Sequence, residues 1–118
     1  MIFIANWKSN GSLRINKEWC DNFKNKMKFN SKNLIGVAPS YVHFQNVKDQ
    51  LKEVDVKVGA QDVDALGGAR TGSINIDMLS DLNCDFVIIG HSERRLFFGE
   101  DSTAIRSKLE SIYKKKIL

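Results

Sequence analysis

Two short segments concentrate the residues that could do chemistry. One is Gly90-His91-Ser92-Glu93-Arg94-Arg95, which joins an imidazole, a hydroxyl, a carboxylate and two guanidinium groups. It directly follows the apolar run Phe86-Val87-Ile88-Ile89, so the glycine lets the backbone turn and leaves His91 at the run's C-terminal tip. Ser92 is placed to cap a short helix starting at Glu93, whose unpaired backbone N–H groups carry partial positive charge. A histidine beside that end is discouraged from taking a proton and would act as a neutral hydrogen-bond donor. Such a position suits a structural cap as well as it suits a catalyst. The other segment is Asn6-Trp7-Lys8-Ser9-Asn10-Gly11, immediately after Ile2-Phe3-Ile4-Ala5. An amide and a cation at the C-terminal end of a parallel strand suit an anionic ligand, because that is the end where ligands bind. The plain alternative is that Asn6 and Lys8 merely begin a solvated loop. His43 belongs to an amphipathic helix and no second histidine sits at metal-ligand spacing, so no metal site is expected.

The rest of the chain must position these groups. Four apolar runs read as strands covered on both faces: Ile2 to Ala5, Leu34 to Ala38, Val56 to Ala60 and Phe86 to Ile89. Between them lie helical periodicities. Trp19, Cys20, Phe23 and Met27 form one apolar face, and Tyr41, Phe44, Val47 and Leu51 form another behind Ser40 as N-cap. A shorter helix spans Ile76, Leu79 and Leu82 and ends at Asn83, which tolerates the left-handed conformation. Ile105, Leu109 and Ile112 define the last, with Lys114-Lys115-Lys116 near its C-terminus, where cations complement the helix dipole. Ile117-Leu118 then has the character of a fifth strand's first residues. Strict strand–helix alternation predicts an α/β fold with a parallel sheet and right-handed crossovers. Periodicity alone leaves an open doubly wound sheet and part of a barrel equally available.

Composition excludes several classes. With 118 residues, 42% hydrophobic and 27% charged, the chain can bury one modest core, and it has no apolar run of signal-peptide or membrane-spanning length. A cytoplasmic location is therefore expected. The formal charge of +4 is concentrated in residues 1 to 33, where seven basic and two acidic residues stand. Most of the excess falls on Lys17, Lys24, Lys26, Lys28 and Lys32, which reads as a solvated helix face. Without interleaved aromatics or a recognisable module, no nucleic-acid partner is expected. Cys20 and Cys84 form no Cys-x-x-Cys pair, and both are expected to be reduced and at least partly buried.

Taken together, Asn-Trp-Lys-x-Asn-Gly after the first run and Gly-His-Ser-Glu-Arg-Arg after the fourth resemble the signature segments of triosephosphate isomerase. Gly59-Ala60-Gln61-Asp62-Val63 is similar to that family's third strand end, Thr71-Gly72 to its third loop, and Phe97 to Glu100 to the segment after the histidine motif. The resemblance covers essentially the whole chain. It implies the first half of a TIM (β/α)8 barrel, with residues 1–118 an N-terminal half that stops at the start of the fifth strand. A complete barrel of this kind takes about 250 residues.

The family interconverts dihydroxyacetone phosphate and glyceraldehyde 3-phosphate in glycolysis and gluconeogenesis, through an enediol(ate) and with no cofactor. By resemblance, His91 is the electrophile that polarises the carbonyl and shuttles protons; its neutral state is an established feature of the family. Lys8 supplies positive charge toward the substrate phosphate and the developing oxyanion, and Asn6 donates a hydrogen bond to substrate. Glu93 lies near Lys8 and holds or tunes the site, while Ser92 supports the loop. Thr71 and Gly72 match the loop that inserts beside the partner's Asn and Lys in the family's homodimer. Ser73 departs from the family, standing where a glutamate commonly pairs with an arginine across that interface, here Arg94. Ser9 replaces a larger residue with no evident chemical consequence. No carboxylate resembles the family's base, so the isolated chain is expected to be inactive and to expose sheet edges and apolar surface. The alternative is a non-catalytic half-barrel module binding a phosphorylated ligand; an unrelated phosphate-binding barrel is disfavoured by Gly90 to Arg95.

Overall fold

The computed structural model describes residues 1–27, 32–115 and 117–118, and the chain divides into two compact units, Met1–Gln61 and Asp62–Leu118. Lys28 of the basic stretch and Lys116 of the terminal lysine run lie outside the described residues.

In the first unit, the apolar runs become a three-stranded parallel sheet: β1 (Ile2–Asn6), β2 (Leu34–Ala38) and β3 (Lys57–Val58), in that order. Pairing runs from Ile2 opposite Leu34 to Asn6 opposite Ala38, and from Gly36 opposite Lys57 to Val37 opposite Val58. Central β2 carries the burial, with Val37 and Ala38 wholly enclosed. β1 is an edge, and its Ile2, Phe3 and Ile4 are exposed, so this run, expected to be covered on both faces, is not so covered by the described residues. β3 is shorter than its apolar run: Gly59 continues the ladder through its N–H to Val37 O at 2.9 Å, and Ala60 is buried beyond it.

Helix α1 (Leu13–Lys26) starts where Ser12 Oγ accepts the Ile15 N–H at 3.2 Å. Its inward face buries Cys20 and Asn16, and burial pushes the Cys20 thiol up, leaving it an inert apolar filler. On its outer face Lys17 lies 2.6 Å and Lys24 3.5 Å from Asp21, the solvated arrangement the charge pattern predicts. The second helix departs from expectation at its start. Ser40 makes no cap bond; its Oγ lies 3.0 Å from His43 Nδ1, and a 3-10 turn (Tyr41–His43) precedes α2 (Phe44–Leu51). Phe44, Val47 and Leu51 are buried as their spacing predicts.

The second unit holds α3 (Ile76–Asp81), α4 (Ser92–Phe98) and α5 (Ser102–Tyr113). Asn75 and Asp101 cap α3 and α5 by accepting the Met78 and Ala104 N–H groups at 3.0 and 2.8 Å. Asn83 closes α3 in the left-handed region, at φ +53°, as its residue type predicts. Val63, Leu79, Cys84 and Phe86 form buried positions of this unit. The run Phe86 to Ile89, expected as a fourth strand, joins no ladder longer than a bridge among the described residues. Val87 N–H instead bonds Leu118 O at 2.8 Å, and Leu118 N–H bonds Asp85 O at 3.2 Å. That staggered pair has the sense of a parallel ladder. Both cysteines are free and buried, as expected.

Candidate functional site

The chemistry-bearing residues gather in one loop of each unit. In the first, Asn6 ends β1 and folds its side chain over the next turn, Oδ1 accepting the Lys8 N–H at 3.0 Å. That bond leaves both N–H donors of the Asn6 Nδ2 amino group able to meet a ligand. Lys8 itself is exposed and sits at φ +53°. For a residue with a Cβ this left-handed backbone costs about 1–2 kcal/mol, so neighbouring contacts must hold it. Three do so. Trp7 N–H bonds Ala38 O at 3.0 Å, and Asn10 Nδ2 bonds Trp7 O at 2.9 Å. Gln61 Nε2 donates to Lys8 O and to Ala38 O, each at 2.8 Å. Trp7 also meets Trp19 of α1 edge-on, with ring centroids 5.0 Å apart, which anchors the loop to the helix.

In the second unit, Gly90 turns at φ +63° just before α4. A Cβ there would stand 3.1 Å from Ile105 Cδ1, so glycine serves both conformation and closeness. The helix cap differs from the sequence expectation: His91, not Ser92, is the N-cap, and Ser92 is the first helical residue. The imidazole does the capping itself, Nδ1 accepting the Glu93 N–H at 3.2 Å. Ser92 is the expected cap because Ser leads the usual preference, and a capping His91 is the alternative that its position also suits. A ring that accepts at Nδ1 carries its proton on Nε2 when neutral. Glu93 Oε2 stands farther from Nδ1, at 3.6 Å, so the backbone N–H is the closer partner. Structural cap and neutral donor are therefore compatible roles on opposite nitrogens of one ring.

Behind α4 lies a charge network that sequence reading missed. Arg94 Nε reaches Glu100 Oε1 at 2.5 Å and Asp62 Oδ2 at 3.0 Å. Lys108 of α5 bonds Asp62 Oδ1 at 2.6 Å and also Glu100 Oε1, while Glu100 Oε2 is buried without a hydrogen-bond partner among the described residues. Burial pushes the Glu100 carboxyl up, but Lys108 and Arg94 outweigh it and hold the group below its usual range. Arg94, expected at an interface, is thus engaged by two carboxylates of its own unit, and its guanidinium lies 4.6 Å from the Phe98 ring centre. The serine at position 73 does not leave it unpaired.

Thr71 and Gly72 stand exposed on a turn, with Gly72 at φ +86°. Asp64 organises this loop: Oδ1 accepts the Leu66 N–H at 3.0 Å and Oδ2 pairs with Arg70 Nε at 2.5 Å. Burial pushes the Asp64 carboxyl up, but those donors together with Ser73 prevail and lower it from 3.8 to about 2. A depressed carboxyl contributes stability that is complete above its unfolded value and lost as pH falls through its folded one. Acid titration from pH 4 to pH 2 should therefore remove about 2 kcal/mol through this group. Urea unfolding across that range should show the loss in the parent and a correspondingly flatter profile in Asp64→Asn.

Among the described residues, no three His, Cys, Asp or Glu side chains gather as a metal ion would require, and no helix is long and apolar enough to cross a membrane.

The family model described as triosephosphate isomerase matches residues 1–118. A triosephosphate isomerase from Francisella tularensis subsp. mediasiatica is 40% identical over 112 residues, which are 94% of this chain and 44% of that protein. Those from Legionella pneumophila and Hahella chejuensis are 36% and 34% identical, over 94% and 92% of this chain and 45% and 44% of their own lengths. The chain thus spans a little under half the length of these curated relatives.

Proposed function

Because the chain belongs to the triosephosphate isomerase family, we propose that residues 1–118 are the first four strand–helix units and the opening of the fifth strand of a (β/α)8 barrel. They would carry the electrophilic half of an active site that interconverts dihydroxyacetone phosphate and glyceraldehyde 3-phosphate. The observation that supports this reading is the capping bond of His91: Nδ1 accepts the Glu93 N–H, which leaves Nε2 as the nitrogen able to donate to a ligand. A carboxylate from outside these residues removes the proton beside the substrate carbonyl, and the electron pair moves into an enediolate. His91 Nε2–H and the Lys8 ammonium stabilise the oxygen where negative charge grows. The ring then passes a proton between the two oxygens, and the base returns its proton to the neighbouring carbon. Asn6 donates from Nδ2 to the substrate, and Glu93 holds and tunes the His91 turn. The loop carrying Thr71 and Gly72 is the expected contact with a second subunit.

The purified 118-residue chain should give no turnover of dihydroxyacetone phosphate in a coupled assay. Fusing it to the part of the Francisella relative beyond the matched segment should restore turnover. Activity in the chain alone would overturn the absence of a base. A folded but inert fusion would overturn the isomerase reading in favour of a phosphate-binding module.

A further inference from the structure

In the sequence Gln61 reads only as part of a strand end; from the geometry we infer that it is the positioning residue for Lys8. Resting on the reading of Lys8 as a substrate-binding cation, the inference starts from an awkward backbone. Lys8 occupies the left-handed region, at φ +53°, where residues bearing a Cβ are strained. Such a conformation persists only where its surroundings over-determine it. The Asn6 side chain fixes the Lys8 N–H from one side. The other side of the residue, its carbonyl, is held by Gln61 Nε2 at 2.8 Å.

The same nitrogen reaches Ala38 O, also at 2.8 Å. Ala38 is the last residue of β2 and is wholly buried, so its carbonyl is a fixed reference point. Gln61 itself follows the β3 run, with Gly59 tied to Val37 O. One carboxamide therefore uses both of its N–H donors to join the loop after β1 to the ends of β2 and β3. No shorter polar side chain at position 61 can span both carbonyls from the same backbone, and a carboxylate would present lone pairs to two carbonyl oxygens. Gln61 touches no reacting group in this arrangement; it acts through the direction it gives the Lys8 backbone, and through that the start of the Lys8 side chain.

Gln61→Met removes both donors at nearly constant length, and Gln61→Asn keeps the amide but shortens its reach. Both can be made in the 118-residue chain and followed by NMR, with β2 amide shifts reporting that the sheet is intact. In the parent, Lys8 should show the strong intraresidue HN–Hα cross-peak of a left-handed backbone. In Gln61→Met that signature should vanish while the sheet signals stay, and the affinity for added dihydroxyacetone phosphate should fall roughly tenfold, about as far as in Lys8→Met. Gln61→Asn should lie between, and supplies the same reading should the methionine variant fail to fold. A folded variant that keeps the Lys8 signature overturns the inference, as does one that loses the signature with affinity unchanged. If Gln61 controls the Lys8 backbone but the parent's Lys8 resonances ignore dihydroxyacetone phosphate, the substrate-binding reading fails while the geometric dependence on Gln61 stands.

Discussion

Replacing His91 by asparagine in the active fusion should lower kcat about a hundredfold to ten-thousandfold while leaving the helix it caps in place. The choice of asparagine separates two roles that the imidazole combines. Nδ1 accepts the Glu93 N–H at 3.2 Å and so closes the first turn of α4. Asparagine is among the best N-cap residues, and its Oδ1 can take over that bond. What it cannot supply is an N–H at the distance of Nε2, on the far side of a ring. A merely structural His91 therefore predicts near-parental rates for His91→Asn, and an electrophile predicts the large loss with unchanged melting. His91→Ala should show both effects: the same kinetic loss and about 1 kcal/mol of destabilisation from the missing cap. Ring-nitrogen shifts offer an independent check, since the neutral parent should have its proton on Nε2. A proton found on Nδ1 would contradict the capping bond and with it the proposed donor.

The sequence showed where the site stands far better than how it is held. Ile2 to Ala5 and Leu34 to Ala38 were legible as short unbroken apolar runs, and the face of Phe44, Val47 and Leu51 because helical burial follows a period of 3.6. Asn83 was legible because a single residue type answers a single backbone need. Lys8 was not, since nothing in the lysine side chain announces a left-handed backbone; its neighbours impose it through bonds of long sequence separation. Gln61 lies 53 residues from Lys8 along the chain, and no local pattern connects a strand end with the loop it fastens. The fourth apolar run and the short β3 mark the opposite failure. Their composition reads as strand, but ladder formation depends on the neighbours available to pair with them. His91 and Ser92 were one residue out because cap preference is a statistical tendency, and here a ring nitrogen met the N–H first.

Lys108 illustrates the hidden part most fully, and its removal should be the most damaging change to the fold. In sequence it sits beside Leu109 among the polar positions of α5 and looks like a solvated cation. In the structure its side chain is only 9% exposed and faces Asp62 and Glu100, whose side chains are 15% and 7% exposed. Lys108→Met keeps the aliphatic stem but takes a cation away from two enclosed carboxylates, while the Arg94 contacts remain. Breaking a buried ion pair from one side costs about 3–5 kcal/mol, because the remaining charge loses its compensation without regaining water. The retained Arg94 contacts, at 2.5 and 3.0 Å, place the expected loss near 3 kcal/mol by urea unfolding at neutral pH. The pH dependence fixes the cause. In the parent, Glu100 is held below its ordinary 4.5, so its stabilisation is present above that value and is lost as pH falls through the lowered one. In Lys108→Met the charged carboxylate is a burden, and protonation relieves it. The gap between parent and variant should therefore be widest at neutral pH and narrow as the solution is acidified past about pH 4. A constant gap would mean that lost packing, not the uncompensated charge, is responsible. Adding Glu100→Gln to Lys108→Met should recover part of the stability, a coupling that two independent packing defects would not show. The same network grips Arg94, three residues beyond His91 on the helix that His91 caps, so stability and the direction of the His91 ring are expected to fail together.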